Sequence, residues 1–504
     1  MTSVLGIDVG TQSVKAVVYN AEKRAVVAVT SAPLELRQDV SGLAEQDAAA
    51  WISALHLTLD QLDVALRREI GALSVSGQQH GFVALNAAGD VLCPVKLWCD
   101  TTSVDACRQI TASAGGDEVC IANVGNRMLP GYTAGKIHQM RTSAPALFDA
   151  LDTVLLPHDY INFYLTGERT MEAGDASGTG LFDVRNLEWS ESQIRAVDPS
   201  GSLAAKLPAV RVSNEAIGNL RADVAKTMRL PPGIPVAIGG GDNMMAAIGT
   251  TNVVPGRMTI SLGTSGTVFA YSSEPVVDPR GEIAAFCSST GGWLPLLCTM
   301  NCTVATDLVR RFLVTEIGAL DAALDMSCAG ADGVTTVPFF SGERTPNLPT
   351  SRGAFFGISP DNLTPQNLLR ATVEGVTFAL RAGADRLAQL SRGWTQIVVT
   401  GGGANSPVWR QMIADIFNAP VVRPVCEEGA AFGAALQALQ LLSDGQSIEH
   451  IVNEHCRLNS THAATPTADA VTDYHTFFTQ YERAAAAVGA LYDDTAAIAQ
   501  DQIS

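Results

Sequence analysis

Hydrophobic and polar positions along the chain follow two alternating periods. Short apolar runs predict buried strands, namely Val4 to Ile7, Val236 to Ile238 and Ile397 to Thr400. Apolar residues three or four positions apart predict helices, most clearly over Thr364 to Leu390. There Thr364 suits the N-cap and Pro365 the first helical position. Strand-like and helix-like runs alternate from end to end, which predicts an α/β protein.

A second helix is predicted near the C-terminus. The segment from Tyr474 to Tyr492 is rich in alanine, and its aromatic residues are clustered in its first half. We interpret it as a helix packed on the body of the protein, and a helix that binds a partner is the alternative.

Two distant segments resemble each other. Leu5 to Asn20 and Met258 to Ser273 both consist of an apolar strand, a Gly-Thr turn and a second apolar strand. Each predicts a β-hairpin whose glycine allows either positive φ or the close approach of a ligand. The repeat predicts two related domains, residues 1–248 and 249–504. Coincidence between two common turn sequences is the alternative.

Charge and composition exclude several classes of partner. The 504 residues carry a formal net charge of −18, which argues against nucleic acid and anionic membranes as partners. No run is long and apolar enough to span a membrane, and the N-terminus lacks the features of a signal peptide. The ten cysteines are scattered without a CxxC motif, which favours free thiols in the cytoplasm. Oligomeric state is not encoded in an obvious way, and a homodimer is kept as a hypothesis.

The common phosphate-binding motifs are absent. The nearest approach to a Walker A loop, Gly131 to Lys136, is one residue short, and no GxGxxG fingerprint occurs. P-loop NTPases and simple NAD enzymes are therefore excluded. Three glycine turns remain: Gly6 to Thr11, Leu262 to Gly266 and Thr400 to Pro407. The first contains Asp8, which could hold hydrated Mg²⁺, and the last two could bind phosphate or adenosine. Taken singly, each turn could be ordinary turn chemistry.

A fourth glycine run precedes a single carboxylate. Ala237 to Gly249 reads AIGGGDNMMAAIG, so three glycines lead directly to Asp242 and a helix-like run follows. Asp242 could be a helix N-cap or a general base, and the two interpretations are compatible. We interpret the glycines as a tight turn that leaves space beside the carboxylate.

Two long signatures resemble those of the FGGY carbohydrate kinases, within the actin-like ATPase superfamily. The segment from Gly353 to Glu374 fits the C-terminal signature of the family, with Gly353-Ala-Phe-Phe-Gly-Ile at its start. Pro130 to Met140 resembles the N-terminal signature, although Gln139 stands where tryptophan is usual. The likeness runs from Leu5 to about Leu442. Within the family, xylulokinases are the most similar group, on the motifs Ser76-Gly-Gln-Gln-His-Gly, Leu156-Pro-His-Asp-Tyr, Asp175-Ala-Ser-Gly-Thr and Ser341-Gly-Glu-Arg-Thr-Pro.

The resemblance implies ATP-dependent phosphorylation of a ketopentose, with D-xylulose as the expected sugar, in a cleft between two ribonuclease-H-like domains. It implies Mg²⁺ and ATP as cofactors. The implied roles are Asp242 as catalytic base, Asp8 as organiser of Mg²⁺–ATP, and Gln79, His80, Asn243 and Asp242 as sugar-binding residues. The nucleotide-binding residues would be Thr11, Gln12, Thr264, Gly401, Gly402 and Asn405.

Several points stay open from the sequence. Roles for Lys136, Asp175, Glu343 and Arg344 are not assigned. Xylulokinase-like chains commonly have Asn and a following Arg where this chain has Cys99-Asp-Thr-Thr102, so the reaction class is better supported than the sugar. A kinase for ribulose, fuculose or glycerol is the first alternative. An actin-like ATPase switch is the second, but the residues after Leu442 are too few for a client-binding domain.

Overall fold

The computed structural model describes residues 3–212 and 214–501, with side chains described as far as Tyr492. Two compact units share the chain. The first comprises Met1–Val254, Tyr271–Leu294 and Glu428–Arg457, and the second comprises Pro255–Ala270, Pro295–Glu427 and Leu458–Ser504. Each unit is made of three separate stretches of the chain. The predicted domain boundary at residue 248 therefore stays a prediction. Within the described ranges, no helix is both long enough and apolar enough to cross a membrane.

The strands are numbered in chain order. Those of the first unit are β1 (Ser3–Val9), β2 (Ser13–Asn20), β3 (Ala25–Pro33), β4 (Arg37–Gln38), β5 (Ala44–Gln46), β6 (Ile70–Gly77), β7 (Val83–Leu85), β8 (Val95–Lys96), β9 (Thr153–Leu155), β10 (Thr170–Glu172), β11 (Phe182–Asp183), β12 (Glu188–Trp189), β13 (Ala209–Arg211), β14 (Ala216–Asn219), β15 (Pro235–Ala237) and β16 (Gly240–Gly241). Those of the second unit are β17 (Arg257–Leu262), β18 (Gly266–Ala270), β19 (Leu296–Thr299), β20 (Thr335–Val337), β21 (Ala354–Phe356), β22 (Gln396–Thr400), β23 (Val421–Pro424) and β24 (Leu458–Ala464).

The helices are numbered in the same way. The first unit contains α1 (Ala48–Asp60), α2 (Val64–Arg68), α3 (Val104–Ala114), α4 (Asp117–Val124), α5 (Thr133–Ser143), α6 (Pro145–Ala150), α7 (Pro157–Thr166), α8 (Ala173–Ala176), α9 (Glu191–Val197), α10 (Ala222–Met228), α11 (Asp242–Gly249), α16 (Gly429–Leu441) and α17 (Ile448–His455). The second contains α12 (Thr303–Phe312), α13 (Leu320–Asp325), α14 (Pro365–Leu390), α15 (Pro407–Phe417) and α18 (Ala468–Asp501).

The main sheets of the two units repeat one topology. In the first unit the strand order is β14-β15-β6-β1-β2-β3, and β16 pairs with the end of β6. In the second unit the order, written in the opposite direction, is β19-β18-β17-β22-β23-β24, so that β1 corresponds to β17 and β6 to β22. Each begins with a hairpin, β1–β2 or β17–β18, whose first strand pairs in parallel with a strand much later in the chain. Both predicted hairpins are confirmed, and the shared order supports two related α/β folds.

Helix α16 fixes helix α11 against the sheet of the first unit. A Cβ atom built on Gly6 of β1 would clash with the backbone of α16 at Ala431 and Ala435. A Cβ on Gly433 of α16 would in turn clash with the carbonyl oxygen of Met245 in α11. Because both contacts are between backbones, the position of α11 is defined closely. Asp242 stands at the start of this helix.

The helices predicted in the second unit are present, and the last is longer than expected. Helix α14 starts at Pro365, and the Thr364 hydroxyl accepts a hydrogen bond from the Asn367 N–H, as an N-cap does. Helix α18 begins at Ala468, six residues before the predicted start. Its buried Tyr474 and Tyr481 pack against Phe378 of α14. The interpretation of the C-terminal segment as a helix packed on the body of the protein is confirmed for the side that carries Tyr474 and Tyr481.

Candidate active site

Asp8 lies at the end of β1, where hairpin register and a neighbouring strand determine its surroundings. It faces Lys15 across the hairpin, and the Ser76 hydroxyl of β6 donates to its Oδ1 at 2.7 Å. Burial raises the pKa of Asp8 above its ordinary value, although the Ser76 hydrogen bond and the charge of Lys15 oppose this effect. The carboxylate is thus held in place, but the hydrogen bond from Ser76 and the charge of Lys15 offset only part of the effect of burial on its pKa.

The turn after Asp8 is held by side chains from three other segments. The Thr11 hydroxyl donates to Gln78 Oε1 at 3.0 Å, and Trp98 Nε1 donates to the same hydroxyl at 3.1 Å. Gln46 donates to the Thr11 carbonyl at 2.7 Å. Gln12 is exposed. Gly10 lacks positive φ, so that explanation for the glycine is wrong, and the close approach of a ligand stays a prediction.

The glycine run before Asp242 is tightly packed. Gly239 has φ +76°, and a Cβ there would clash with the Val75 carbonyl oxygen, so the tight turn is confirmed. The space at the other two glycines is filled by protein, because Cβ atoms at Gly240 and Gly241 would clash with Ser289 and Gln79. These two glycines thus make room for Ser289 and Gln79, and the interpretation that they leave space beside the carboxylate stays a prediction. They let the turn pair with the end of β6.

Asp242 is the first residue of α11, and its N-cap is Gly241. The N-cap interpretation of Asp242 is therefore wrong, although a carboxylate in the first turn is still favoured by the helix dipole. Its Oδ1 accepts hydrogen bonds from the Asn243 N–H at 2.7 Å and from Asn243 Nδ2 at 2.9 Å. Burial, with the charges of Asp8 and Asp175, raises the pKa of Asp242 to about 7.

Gln79 and Asn243 form a continuous hydrogen-bonded path to Asp242. Asn243 Nδ2 donates to Gln79 Oε1 at 2.8 Å as well as to Asp242. Gln79 is buried, and its Nε2 lies 3.2 Å from the Met244 sulfur. The structure therefore brings three of the predicted sugar-binding residues together.

His80 has a left-handed backbone with φ +63°, which is uncommon for a residue with a side chain. Its N–H donates to Asp175 Oδ1 at 3.1 Å. Its carbonyl oxygen accepts from Lys136 Nζ at 2.9 Å and from the Thr133 hydroxyl at 3.1 Å. Lys136 and Asp175, left open by the sequence, thus both bind the His80 backbone. Burial lowers the pKa of Lys136 to about 7.

Four of the predicted nucleotide residues lie at one end of the sheet of the second unit. The turn containing Thr264 follows β17, and β22 ends at Thr400 beside Ser261 of β17. Thr264, Gly401, Gly402 and Asn405 are all exposed there. Gly401 has φ +83°, and a Cβ on it would lie 2.7 Å from the Leu262 carbonyl. A Cβ on Gly402 would meet no described atom within 4 Å, so backbone at this loop is open to a ligand.

Two family models together match most of the chain. The N-terminal domain of the FGGY family of carbohydrate kinases matches residues 3–249, and the C-terminal domain of the same family matches residues 258–441. The chain belongs to the FGGY family of carbohydrate kinases. The family resemblance deduced from the two signatures is confirmed. The kinase family implies ATP as a substrate, with a sugar as the acceptor.

Named relatives extend over most of this kinase. It is 37% identical over 487 residues to a xylulose kinase from Haemophilus influenzae, covering 95% of this chain and 98% of the relative. It is 36% identical over 471 residues to a xylulose kinase from Streptomyces coelicolor, covering 93% and 92%. A crystal structure of xylulose kinase from Rhodospirillum rubrum superposes with a TM-score of 0.89 at 27% identity, covering 97% of this chain and all of that one. The two-domain α/β fold is thus confirmed.

A buried ionic group in the kinase was not predicted from the sequence. His158 is fully buried between two carboxylates, with Nδ1 3.2 Å from Asp175 Oδ2 and Nε2 2.9 Å from Asp159 Oδ1. Burial alone would lower the pKa of His158, but the two carboxylates raise it well above its ordinary value. The only signal in the sequence is the position of His158 and Asp159 in a motif shared with xylulokinases.

Gln437 was also missed. It is fully buried in α16, where its Oε1 accepts from the Ser74 hydroxyl at 2.7 Å and from the Gly239 N–H at 2.9 Å. It therefore joins β6 to the turn that leads to Asp242. The available signal was that two glutamines, Gln437 and Gln440, interrupt the apolar run of α16.

The segment that departs from the family pattern is anchored by its aspartate. Asp100 is fully buried, and its carboxylate accepts from the Ala44 N–H at 2.9 Å and from the Thr102 hydroxyl at 2.6 Å. Cys99 is half-buried, and Gln139 donates to the Thr102 carbonyl at 3.1 Å. The residues that differ from the family pattern thus form a turn that is held by Asp100.

In the second unit, Glu343 supports the turn that contains Thr264. The buried Glu343 carboxylate accepts from the Met300 N–H at 2.6 Å and from Asn301 Nδ2 at 3.0 Å. The next residues along the chain, Cys302 and Thr303, donate backbone N–H groups to the carbonyls of Thr264 and Gly263. Glu343, whose role the sequence left open, is thus a buried residue that binds Met300 and Asn301 and not half of a surface ion pair.

Proposed function

We propose that this carbohydrate kinase transfers the γ-phosphoryl group of ATP to a ketopentose, with D-xylulose as substrate and D-xylulose 5-phosphate as product. The observation that carries the proposal is the path Gln79–Asn243–Asp242, which places hydrogen-bonding amides beside a carboxylate whose pKa is about 7. The xylulose kinases similar over most of this chain support the choice of sugar.

In this proposal Asp242 accepts the proton of the attacking hydroxyl. Phosphoryl transfer needs an oriented hydroxyl, neutralised phosphate charge and a proton acceptor. A general base works best when its pKa is near the working pH. A large fraction of the group is then ionised, and the ionised group is still basic enough to accept a proton. The hydrogen bonds from Asn243 fix the direction of the acceptor oxygens.

Gln79, His80 and Asn243 would bind the sugar hydroxyls. Buried amide and imidazole groups select a substrate strongly, because a sugar that lacks a matching hydroxyl leaves them unpaired. The Gln79 and Asn243 amides are fixed by their mutual hydrogen bond before any sugar binds. Less reorganisation is then needed on binding.

Asp8 fits a Mg²⁺ ion that is held mainly by water and by phosphate oxygens. Mg²⁺ commonly uses only one or two carboxylates in such sites. A carboxylate whose pKa is raised by burial gains from a nearby cation, as Asp8 would. Among the described residues no group of three His, Cys, Asp or Glu side chains could hold a metal. The ion would supply charge neutralisation at the phosphates.

We assign the nucleotide to the remaining predicted residues. Thr11 and Gln12 lie in the turn that follows Asp8, and Thr264, Gly401, Gly402 and Asn405 are exposed at one sheet end of the second unit. The catalytic cleft, the cytoplasmic location and a homodimer stay predictions from the sequence.

The test is ADP release from Mg²⁺–ATP with a panel of ketoses and polyols, together with ³¹P NMR of the product. We expect D-xylulose to give the highest kcat/KM and a phosphate ester at its 5-hydroxyl. A higher kcat/KM with another sugar would reject the substrate, and ATP hydrolysis without stimulation by any sugar would reject phosphoryl transfer to sugar.

A variant tests the base. Asp242→Ala should lower kcat by roughly 10²–10⁴-fold, the usual contribution of a general base, while ATP binding is retained. Near wild-type kcat in this variant would exclude Asp242 as the base. Asp198→Asn is a suitable control, because Asp198 is buried in a turn of its own with Ser200 and Leu203.

A further inference from the structure

Four side chains form a buried chain behind the proposed sugar site. Asp159 contacts His158, His158 contacts Asp175, and the Nδ1 atom of His80 lies 3.3 Å from Asp175 Oδ1. We infer that Asp175 is a positioning residue that sets the backbone and the ring of His80 for sugar binding, with His158 holding Asp175 as a fixed anion. This inference rests on the proposed function, in which His80 binds the sugar.

The backbone of His80 needs external support. A left-handed conformation costs a residue with a side chain on the order of 1 kcal/mol or more. Here the N–H of His80 donates to Asp175, and its carbonyl oxygen accepts from Lys136 and Thr133. Asp175 is the one carboxylate among these three partners. Losing it removes an acceptor of a buried N–H.

The ring of His80 is confined on several sides. It packs at 5.2 Å from Tyr132 and at 5.3 Å from Phe286, measured between ring centroids. A Cβ on Gly178 would clash with its Cε1 atom, so only glycine at that position leaves room for the ring. The imidazole therefore has little room to move, and its Nδ1 atom is the one that lies near Asp175, 3.3 Å from Oδ1.

An ionised carboxylate dictates the tautomer of the ring beside it. A carboxylate can only accept hydrogen bonds, so the proton of a neutral His80 belongs on Nδ1. Nε2 then keeps its lone pair and can accept a hydrogen bond from a sugar hydroxyl. Asp175 thus determines which polarity His80 offers to the substrate, although it does not touch the substrate itself.

His158 explains how Asp175 stays ionised although it is fully buried. Burial alone would raise the pKa of Asp175, but hydrogen bonds from His158 and His80 lower it below its ordinary value. A buried anion needs a cationic partner of this kind. Asp159 on the far side balances the charge of the imidazolium and is itself held by the Leu156 N–H at 3.2 Å.

The test is steady-state kinetics of Asp175→Asn with the sugar that the wild type prefers. We expect the KM for sugar to rise about tenfold or more, the loss typical of one misplaced hydrogen bond, while the KM for ATP changes less than about twofold. Asp198→Asn, a second buried carboxylate, should leave both constants unchanged. Equal KM values for sugar in Asp175→Asn and wild type would overturn the inference.

If Asp175→Asn does not fold because His158 loses one of its two carboxylate partners, the double variant Asp175→Asn/His158→Gln removes the imidazolium as well. It should fold and show the same rise in the KM for sugar. A wild-type KM for sugar in the folded double variant would overturn the inference.

A spectroscopic readout does not depend on activity. ¹⁵N NMR of labelled histidine should show His80 with its proton on Nδ1 in the wild type, and His80→Gln identifies the signal. Asp175→Asn should move the population toward the Nε2–H tautomer. A wild type with the proton on Nε2 would refute the tautomer assignment, and this holds even if the preferred sugar is not D-xylulose.

Discussion

The negative charge of Asp8 acts on Asp242. After burial, it is the next cause of the rise in the pKa of Asp242 to about 7. Each carboxylate comes from the end of a different element, Asp8 from β1 and Asp242 from the start of α11. The proposed metal organiser and the proposed base are thus electrostatically coupled before substrate binds.

The first prediction is an acidic limb in the pH profile. Asp242 must be ionised to accept a proton, so kcat/KM for sugar should be constant above its pKa and fall tenfold per pH unit well below it, with a midpoint of about 7. The measurement is kcat/KM for sugar between roughly pH 5.5 and 9 at saturating Mg²⁺–ATP. A profile flat down to roughly pH 5.5 would contradict the role of Asp242 as a base with a raised pKa.

The second prediction is that a substitution at Asp8 shifts the acidic limb of the pH profile. Asp8→Asn removes a negative charge that raises the pKa of Asp242, so the midpoint of the acidic limb should shift to lower pH. The rate at every pH should also be lower, with a higher Mg²⁺ requirement. Lower activity with an unchanged midpoint would show that the two carboxylates are not coupled in solution.

Local features of the site could be predicted from the sequence, and the partners of those features could not. The hairpin with Asp8 and the start of α11 at Asp242 are each encoded within about a dozen neighbouring residues. Ser76 binds Asp8 only because β1 and β6 pair in parallel with Asp8 opposite Ser76. That register is set by packing over a long stretch of chain, which a local pattern does not reveal.

Buried polar residues were the hardest to predict. His158 and Gln437 lie fully inside the protein, although glutamine is usually exposed and histidine is only intermediate in burial. Their burial depends on partners that come from distant segments, such as Asp175 for His158 and Gly239 for Gln437. The same holds for Gly240 and Gly241, since only the fold shows that Ser289 and Gln79 occupy the space beside them.

The third prediction concerns the packing that positions α11. Gly433→Ala places a methyl group against the Met245 carbonyl oxygen, and neither backbone can move without shifting α11. We expect a loss of about 1–3 kcal/mol in the free energy of unfolding, which corresponds to about 1–2 °C in Tm for each kcal/mol in a protein of this size. The kcat should fall as well, because Asp242 begins this helix.

Its control is Gly393→Ala. A Cβ on Gly393 would meet no described atom within 4 Å, and its φ is not positive, so Tm and kcat should be unchanged. If Gly433→Ala had the Tm and kcat of the wild type, α16 and α11 would be less closely packed in solution than in the structure.

The last prediction separates the nucleotide side from the sugar side. Glu343 accepts hydrogen bonds at both oxygens, from Met300 and Arg344 at Oε1 and from Asn301 at Oε2. Glu343→Gln keeps the size of the side chain but turns one oxygen into an NH₂ group, which meets a donor in either orientation. The segment after Asn301 carries three N–H groups that hold the Gly263–Thr264 turn, so this turn should be displaced. We therefore expect the KM for ATP to rise about tenfold with little change in the KM for sugar, the opposite pattern to that of Asp175→Asn.

Measuring both constants in both variants makes each variant the control for the other. A rise in the KM for sugar alone, or no change in either constant in folded Glu343→Gln, would show that Glu343 does not support the nucleotide turn.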